Sequence, residues 1–463
     1  MNLEQALAKS RADFAGDGLA RIRRFVRQPS ISADGTGIRE MAELLVREIE
    51  GLGGRARPIE TAGHPVVYGE IDAGAATTLL VYGMYDVQPV EGEVGWLADP
   101  FSGDIIDYGD HGPCLVSRGI YNTKGPLAGF FNAVAAAQAS GRLPVNLKFL
   151  VEGEEEMQSK HLKDVVRDHR ELLAADYAYF PFYSEDPTGK PMVYLGVKGI
   201  LFFELIARGG NRGGPVGRDI HGSNAVWFDN PAWSLVHAMS SMISRDEKHI
   251  LIDGFYDEVV PPSAEDEGLL TELERTFDAR TELETHDVVR FKYDLEGGDL
   301  LRKYLYQPTL NIDGLVSGHH GAGTKTVIPH EARAKLDIRM VPNMDPERTK
   351  RLVRDHLDRH GFGHVLMEVN DAYAWAKTPA SNPAIGALLD GMRALGAAPE
   401  VWPHLAGSAP FYLFTKELGL PLAMGGLGHG GRPHSPNEYA TVEGMQRLQD
   451  SVLHFLANLG GTQ

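Results

Sequence analysis

The sequence predicts an α/β fold with a central, helix-covered mixed sheet, interrupted by a smaller inserted α+β domain. Three observations carry this expectation. Short apolar runs rich in β-branched and aromatic residues end in Gly or acidic punctuation, as in Thr77–Tyr82 before Gly83 and Leu147–Val151 before Glu152; such runs read as buried strands. Helical periods alternate with them, which is the pattern of a sheet covered on both faces. From about Val197 the texture changes to alternating strands and Gly-rich loops, and 463 residues are enough for two separate cores.

Along the chain, Met41, Leu44, Leu45, Ile49 and Leu52 share one helical face, and Pro126 opens an Ala-rich helical segment closed by Gly141. An alternating run from Ile200 to Ala207 begins the second domain. It continues through an acidic stretch, Ser263–Glu284, expected as one solvated helix, then a strand at Ala334–Val341 and a helix from Pro346. Helical patterns around Ala384–Leu395 and Val442–Leu456 indicate that the first domain resumes near Ala376. The expected boundaries are therefore 1–198 and 376–463 for the first domain and 199–375 for the second.

Composition excludes several functional classes. A hydrophobic fraction of 43% with 23% charged residues is an ordinary globular balance, so disorder is not the default. No run of about 18 apolar residues occurs, and the N-terminus lacks the basic-then-apolar layout of a signal peptide, so a cytoplasmic location is expected. The single cysteine, Cys114, excludes an intramolecular disulfide and a thiolate metal cage. A formal charge of -18 disfavours nucleic acid and anionic membranes, and no basic patch is visible along the chain.

Chemistry is expected beyond the carboxyl ends of the strands, where the unusual residues cluster. Met84 and Asp86 follow one strand, Glu154, Glu155 and Glu156 follow another, and the loop Arg118–Gly125 leads into the helix expected at Pro126. Adjacent carboxylates at a strand end repel one another unless a cation or a shared proton relieves them. His434 follows the Gly-rich stretch Gly425–Gly431.

Several strings then carry a resemblance: Val-Tyr-Gly-Met84-Tyr-Asp86-Val-Gln-Pro, Arg-Gly-Ile-Tyr-Asn122-Thr-Lys-Gly-Pro, Glu-Gly-Glu-Glu155-Glu156, Gly-Lys-Pro-Met-Val-Tyr, Lys-Thr-Val-Ile-Pro, Asp-Ile-Arg339-Met-Val-Pro-Asn-Met and His434-Ser-Pro-Asn-Glu. In this order they resemble the zinc-dependent aminoacylases, glutamate carboxypeptidases and cytosolic carnosine-type dipeptidases. The resemblance implies a catalytic domain, a lid domain that dimerises, and hydrolysis of amides beside a free carboxylate. It also implies two zinc ions held by two histidines and three carboxylates, one of them bridging. Glu156 and His434 fall on two of those ligands. Met84 falls on the first histidine, Asn122 on the bridging aspartate and Phe182 on the remaining aspartate, where a shifted loop could offer Glu185 or Asp186 instead.

The same resemblance places Glu155 on the general base and Asp86 on the carboxylate that orients the first histidine. His221 falls on a histidine that reaches across a dimer to the substrate carbonyl, Arg339 on the carboxylate clamp, and Gly407 and Ser408 on the loop that receives the substrate's C-terminal part. Tyr121, Phe182 and Tyr183 are expected to give an aromatic pocket, with Asn122, Tyr121 or His221 as oxyanion donors. A thioether, a neutral amide and a phenyl ring are poor substitutes for zinc ligands. The expectation is therefore no cofactor, or at most one zinc or manganese ion on Glu156, His434 and either His404 or His429. Three functions remain open: a metal-independent enzyme using Glu155 for isomerisation, elimination, ring opening or amide cleavage; an amidohydrolase with one ion; and a small-molecule-binding protein without catalysis. The expected partners are a small carboxylate-bearing substrate and a second copy of the chain.

Overall fold

The computed structural model describes residues 1–461, which cluster into two compact units. The first contains Met1–Gly196, Lys377–Pro403 and the chain from Leu413 on; the second contains Val197–Ala376 and His404–Tyr412. The short return His404–Tyr412 lies within the stretch 376–463 that the sequence assigns to the first domain.

In the first unit a six-stranded sheet runs in the order Arg55–Ile59, Val66–Ile71, Asn146–Glu152, Thr78–Met84, Tyr177–Phe180, Leu422–Met424. The last four strands are parallel and the outer two antiparallel, which makes the sheet mixed. Leu79, Leu80, Val81, Phe149, Leu150 and Val151 are completely buried, and each such large apolar side chain contributes about 1.5–3 kcal/mol. The helix Ile38–Gly51 covers the strands Arg55–Ile59 and Val66–Ile71, while Lys124–Ala139 and Val442–Gly460 pack on one another.

The helix expected to open at Pro126 begins at Lys124. Proline is tolerated in its first turn because the N–H it lacks would have had no intrahelical partner there. Parallel pairing sets Met84 opposite Glu152, so the segments bearing Asp86 and Glu154–Glu156 leave the sheet at one level.

The second unit is built on an antiparallel sheet ordered Thr309–Ser317, Glu331–Met340, Gly199–Arg208, Leu366–Tyr373. Leu201, Phe203 and Leu205 pack with Leu336, Ile338, Leu235 and Val353 in its core, the last two from the helices Pro231–Met242 and Pro346–Arg359. The acidic stretch forms two helices rather than one, Ala264–Glu274 and Ala279–Thr285. Asp278 accepts from the Arg280 N–H and so caps a new helix where one would otherwise continue. Leu270 and Leu273 are buried, so the first of the two is not merely solvated.

Among the described residues no helix is long and apolar enough to cross a membrane. Positive charge does gather locally: Arg23, Arg24, Arg27 and Arg47 line one surface groove. Sequence distance hides this, since Arg47 arrives on a different helix.

Candidate active site

The site is assembled at the carboxyl ends of the parallel strands of the first unit. Asp86 is completely buried and accepts the backbone N–H groups of Glu155 at 3.1 Å and Glu156 at 3.0 Å. It therefore fixes the turn that presents both glutamates. Burial, reinforced by the nearby Glu156 carboxylate, pushes the Asp86 carboxyl up to about 7. Glu155 lies well above the ordinary carboxylate range for the same reasons, desolvation first and then Glu156, Asp86 and Glu152.

Glu156 is bound on both oxygens. Asn122 Nδ2 donates to Oε1 at 2.9 Å, His434 Nε2 lies 3.1 Å from the same oxygen, and Gln88 Nε2 donates to Oε2 at 2.8 Å. Asn122 Nδ2 is also 3.2 Å from His434 Nε2, which closes a triangle of three side chains. The Glu156 carboxylate raises the His434 imidazole above its ordinary value. Met84, at the strand end, is buried.

The rings expected to line an aromatic pocket lie against one another. Tyr121 packs edge-on to Phe182 with centroids 5.6 Å apart and stacks on Tyr183 at 6.2 Å. The Tyr183 hydroxyl is buried without a hydrogen-bond partner, a polar atom left for something else to satisfy.

Three residues without a role in the sequence reading hold this arrangement. Glu438, fully buried, accepts the N–H groups of Gly119, Tyr121 and Asn122, each at 3.0 Å. Buried Arg118 pairs with Glu438 at 3.3 Å and Glu93 at 2.6 Å and lies over the Trp96 ring. Buried Lys124 donates to the Gln28 carbonyl at 2.6 Å, and desolvation pushes its ammonium down to about 7. Glu438 stands inside the string that begins at His434, the one signal that could have marked it.

The other expected ligands are engaged elsewhere. Glu185 makes a two-pronged ion pair with Arg447, and Asp186 accepts from Thr188 and Lys190 within its own turn. His429 bonds the Glu185 carbonyl and the Tyr439 hydroxyl, and His404 the Leu305 carbonyl. Glu185, Asp186 and His429 do not join Glu156 and His434, since each is held by another partner. Among the described residues no three His, Cys, Asp or Glu side chains gather so as to hold a metal ion. The five positions that the resemblance assigns to two zinc ions carry a thioether, an amide, a phenyl ring, one carboxylate and one imidazole. That donor set does not fit a pair of dications, which requires anionic bridging oxygen.

In the second unit Arg339 donates from Nη1 to Ser408 Oγ at 2.9 Å and from Nε to Asp337 at 3.0 Å. The Gly407 carbonyl accepts from the Lys198 N–H at 3.0 Å. Exposed His221 lies 2.8 Å from Ser223 Oγ and 3.2 Å from Thr326 Oγ1.

Known proteins share this architecture over nearly its whole length. A metallo-carboxypeptidase of the M20 family from Sulfolobus solfataricus, Sso-CP2, superposes with a TM-score of 0.88 at 34% identity, covering 96% of this chain and 99% of that one. The Cys-Gly metallodipeptidase dug1 of Schizosaccharomyces pombe is 30% identical over 77% of this chain and 75% of its own. The Beta-Ala-His dipeptidase of Mus musculus is 28% identical over 78% and 73%. Residues 80–458, which include Met84, Asp86, Asn122, Glu154–Glu156 and His434, match the model of Peptidase family M20/M25/M40, and the chain belongs to that family.

Proposed function

We propose that this family member is a dipeptidase- or aminoacylase-like enzyme for a small amide or amino-acid-like substrate with a free carboxylate, and that it works without a metal pair. The observation that carries this reading is the Glu156–Asn122–His434 triangle. The carboxylate oxygens that would face a cation already accept N–H groups. An amide supplies hydrogen-bond donors but no charge to bridge two ions.

Glu155 is the acid-base group in this reading. Burial beside Glu156, Asp86 and Glu152 raises its proton affinity, which makes it a comparatively strong base once ionised. Without an ion, water keeps a pKa of about 15.7 and is a poor nucleophile. The reading therefore favours moving a proton on carbon, elimination, ring opening or cleavage of a reactive amide, with Tyr121 and Asn122 as donors beside the reacting carbonyl. Arg339 is the clamp for the substrate carboxylate, with Ser408 fixing its guanidinium. We further infer a cytoplasmic homodimer in which His221 serves the partner's pocket, an arrangement implied by the resemblance.

A second reading has one observation in its favour. Glu156 and His434 remain 3.1 Å apart, and two of the relatives named above are a metallodipeptidase and a metallo-carboxypeptidase by name; one ion held by that pair would give an ordinary amidohydrolase. The two readings separate in one experiment. Protein purified without chelator is analysed for metals and assayed on Cys-Gly, β-Ala-His and N-acyl amino acids, with and without EDTA. The metal-independent reading requires turnover that is indifferent to EDTA and lost in Glu155→Gln. Chelator-sensitive hydrolysis with a stoichiometric ion would overturn it.

A further inference from the structure

The second unit holds a cavity of about 240 Å³ that the reading above does not use. Its floor is apolar, formed by Ile243, Ile250, Leu300 and Leu310, with Ile250 and Leu300 buried. Its rim is cationic. The Tyr293 ring carries two ammonium groups, Lys303 Nζ at 4.5 Å from the centroid and Lys248 Nζ at 5.5 Å. The Tyr293 hydroxyl donates to the Lys248 carbonyl at 3.2 Å and fixes the ring between them.

The third rim lysine, Lys292, has a carboxylate partner, Glu247 at 3.8 Å. Among the described residues neither Lys303 nor Lys248 makes an ion pair with a carboxylate; Lys248 lies near Asp246, whose carboxyl it helps hold below the ordinary value, and Glu247 also lines the cavity. Two ammonium groups held on one aromatic ring at the mouth of an apolar cavity form a complementary receptor for a molecule with one anionic end and a hydrocarbon body.

We propose that this cavity is a second ligand site, for a small apolar monocarboxylate with an aryl or branched alkyl body. The carboxylate sits at Lys303 and Lys248, and the body fills the space over Ile243 and Leu310. The site also has a route to the rest of its unit. The carbonyls of Tyr304 and Gln307 on the cavity wall hold the Lys198 ammonium at 2.7 and 3.0 Å. Thr309, next along the same wall, pairs in register with Arg339. A bound ligand therefore rests on the backbone from which the Arg339 strand takes its register.

The test is titration calorimetry of the full chain with 3-phenylpropionate, and with 3-phenylpropanol as the uncharged body. Alongside it, amide hydrogen exchange is followed over residues 291–310. The expected result is submillimolar binding of the acid, roughly tenfold or more weaker binding of the alcohol, and protection of that segment. Lys303→Met should weaken the acid about tenfold and leave the alcohol unchanged. Ile243→Trp, which fills the cavity, should abolish both. Arg339→Ala should leave the affinity within about twofold, which separates this site from the clamp. If Ile243→Trp does not fold, the half-exposed Lys303 variant still decides. The proposal fails if the acid gives neither heat nor protection at about 10 mM, if acid and alcohol bind equally, or if binding survives Lys303→Met and is lost in Arg339→Ala.

Discussion

Asn122 donates from Nδ2 to Oε1 of Glu156 across 2.9 Å, so an uncharged amide occupies the side of the carboxylate that the family resemblance gives to a cation. From this we predict that protein purified without chelator carries less than about one equivalent of zinc, manganese or cobalt and keeps its thermal midpoint in EDTA. Elemental analysis that finds two tightly held ions would remove the basis of the metal-independent reading. Met84→His, Asn122→Asp and Phe182→Asp in one chain should recover measurable zinc, since the first returns an imidazole and the others two carboxylates. No gain would mean that the surrounding hydrogen bonds have diverged as well.

Glu155 is presented by a turn whose backbone Asp86 fixes, and its basicity is set by burial beside other carboxylates. Glu155→Gln keeps the shape and removes proton transfer. Turnover should fall by about two to four orders of magnitude, with ligand affinity changed little. Turnover unaffected by this change would move the chemistry to Tyr121 or Asp86.

Arg339 is held at both Nε and Nη1, which orients the rest of its fork for a planar anion. Arg339→Ala should weaken carboxylate ligands by roughly ten- to a thousandfold, and esterified ligands should show the same loss with the unaltered protein. Ser408→Ala, which frees one edge of the guanidinium, should cost less. Equal binding of acids and esters would show that Arg339 is structural.

Glu152 offers a pH signature in stability. It is buried, accepts from Tyr82 and Ser159 on the same oxygen, Oε1, and burial pushes it from 4.5 up to about 8. The folded state therefore keeps a proton that the unfolded state gives up. This contribution is fully present below about 4.5 and lost as the pH rises through about 8. Glu152→Gln mimics the protonated form and keeps the accepting oxygen, so its stability relative to the parent should grow between pH 5 and pH 9 by a few kcal/mol, at about 1.4 kcal/mol per unit. Denaturant curves at the two pH values check this; a constant difference would place the proton elsewhere.

The strands and the strand-end acids were legible because period and punctuation are local: Thr78–Met84 and Asn146–Glu152 fall within two residues of the runs that announce them. Of the aromatic trio, Tyr121 was legible through its position in a string, and Phe182 and Tyr183 through their place a few residues before another. What sequence could not convey is which partner each polar group takes. His429 and Glu185 are attractive as ligands until folding ties one to Tyr439 and the other to Arg447. Gln88 and Lys124 gain their importance only through contacts with Glu156 and Gln28, 68 and 96 residues distant. The break at Asp278 was missed because an acidic run looks alike whether a carboxylate faces water or caps a helix.

Glu438 grips the chain at residues 119, 121 and 122 by main-chain atoms alone. The socket that delivers the side chain at position 122 is therefore indifferent to what that side chain is. Exchange of one group for another there can alter the chemistry of the cleft without disturbing its carpentry.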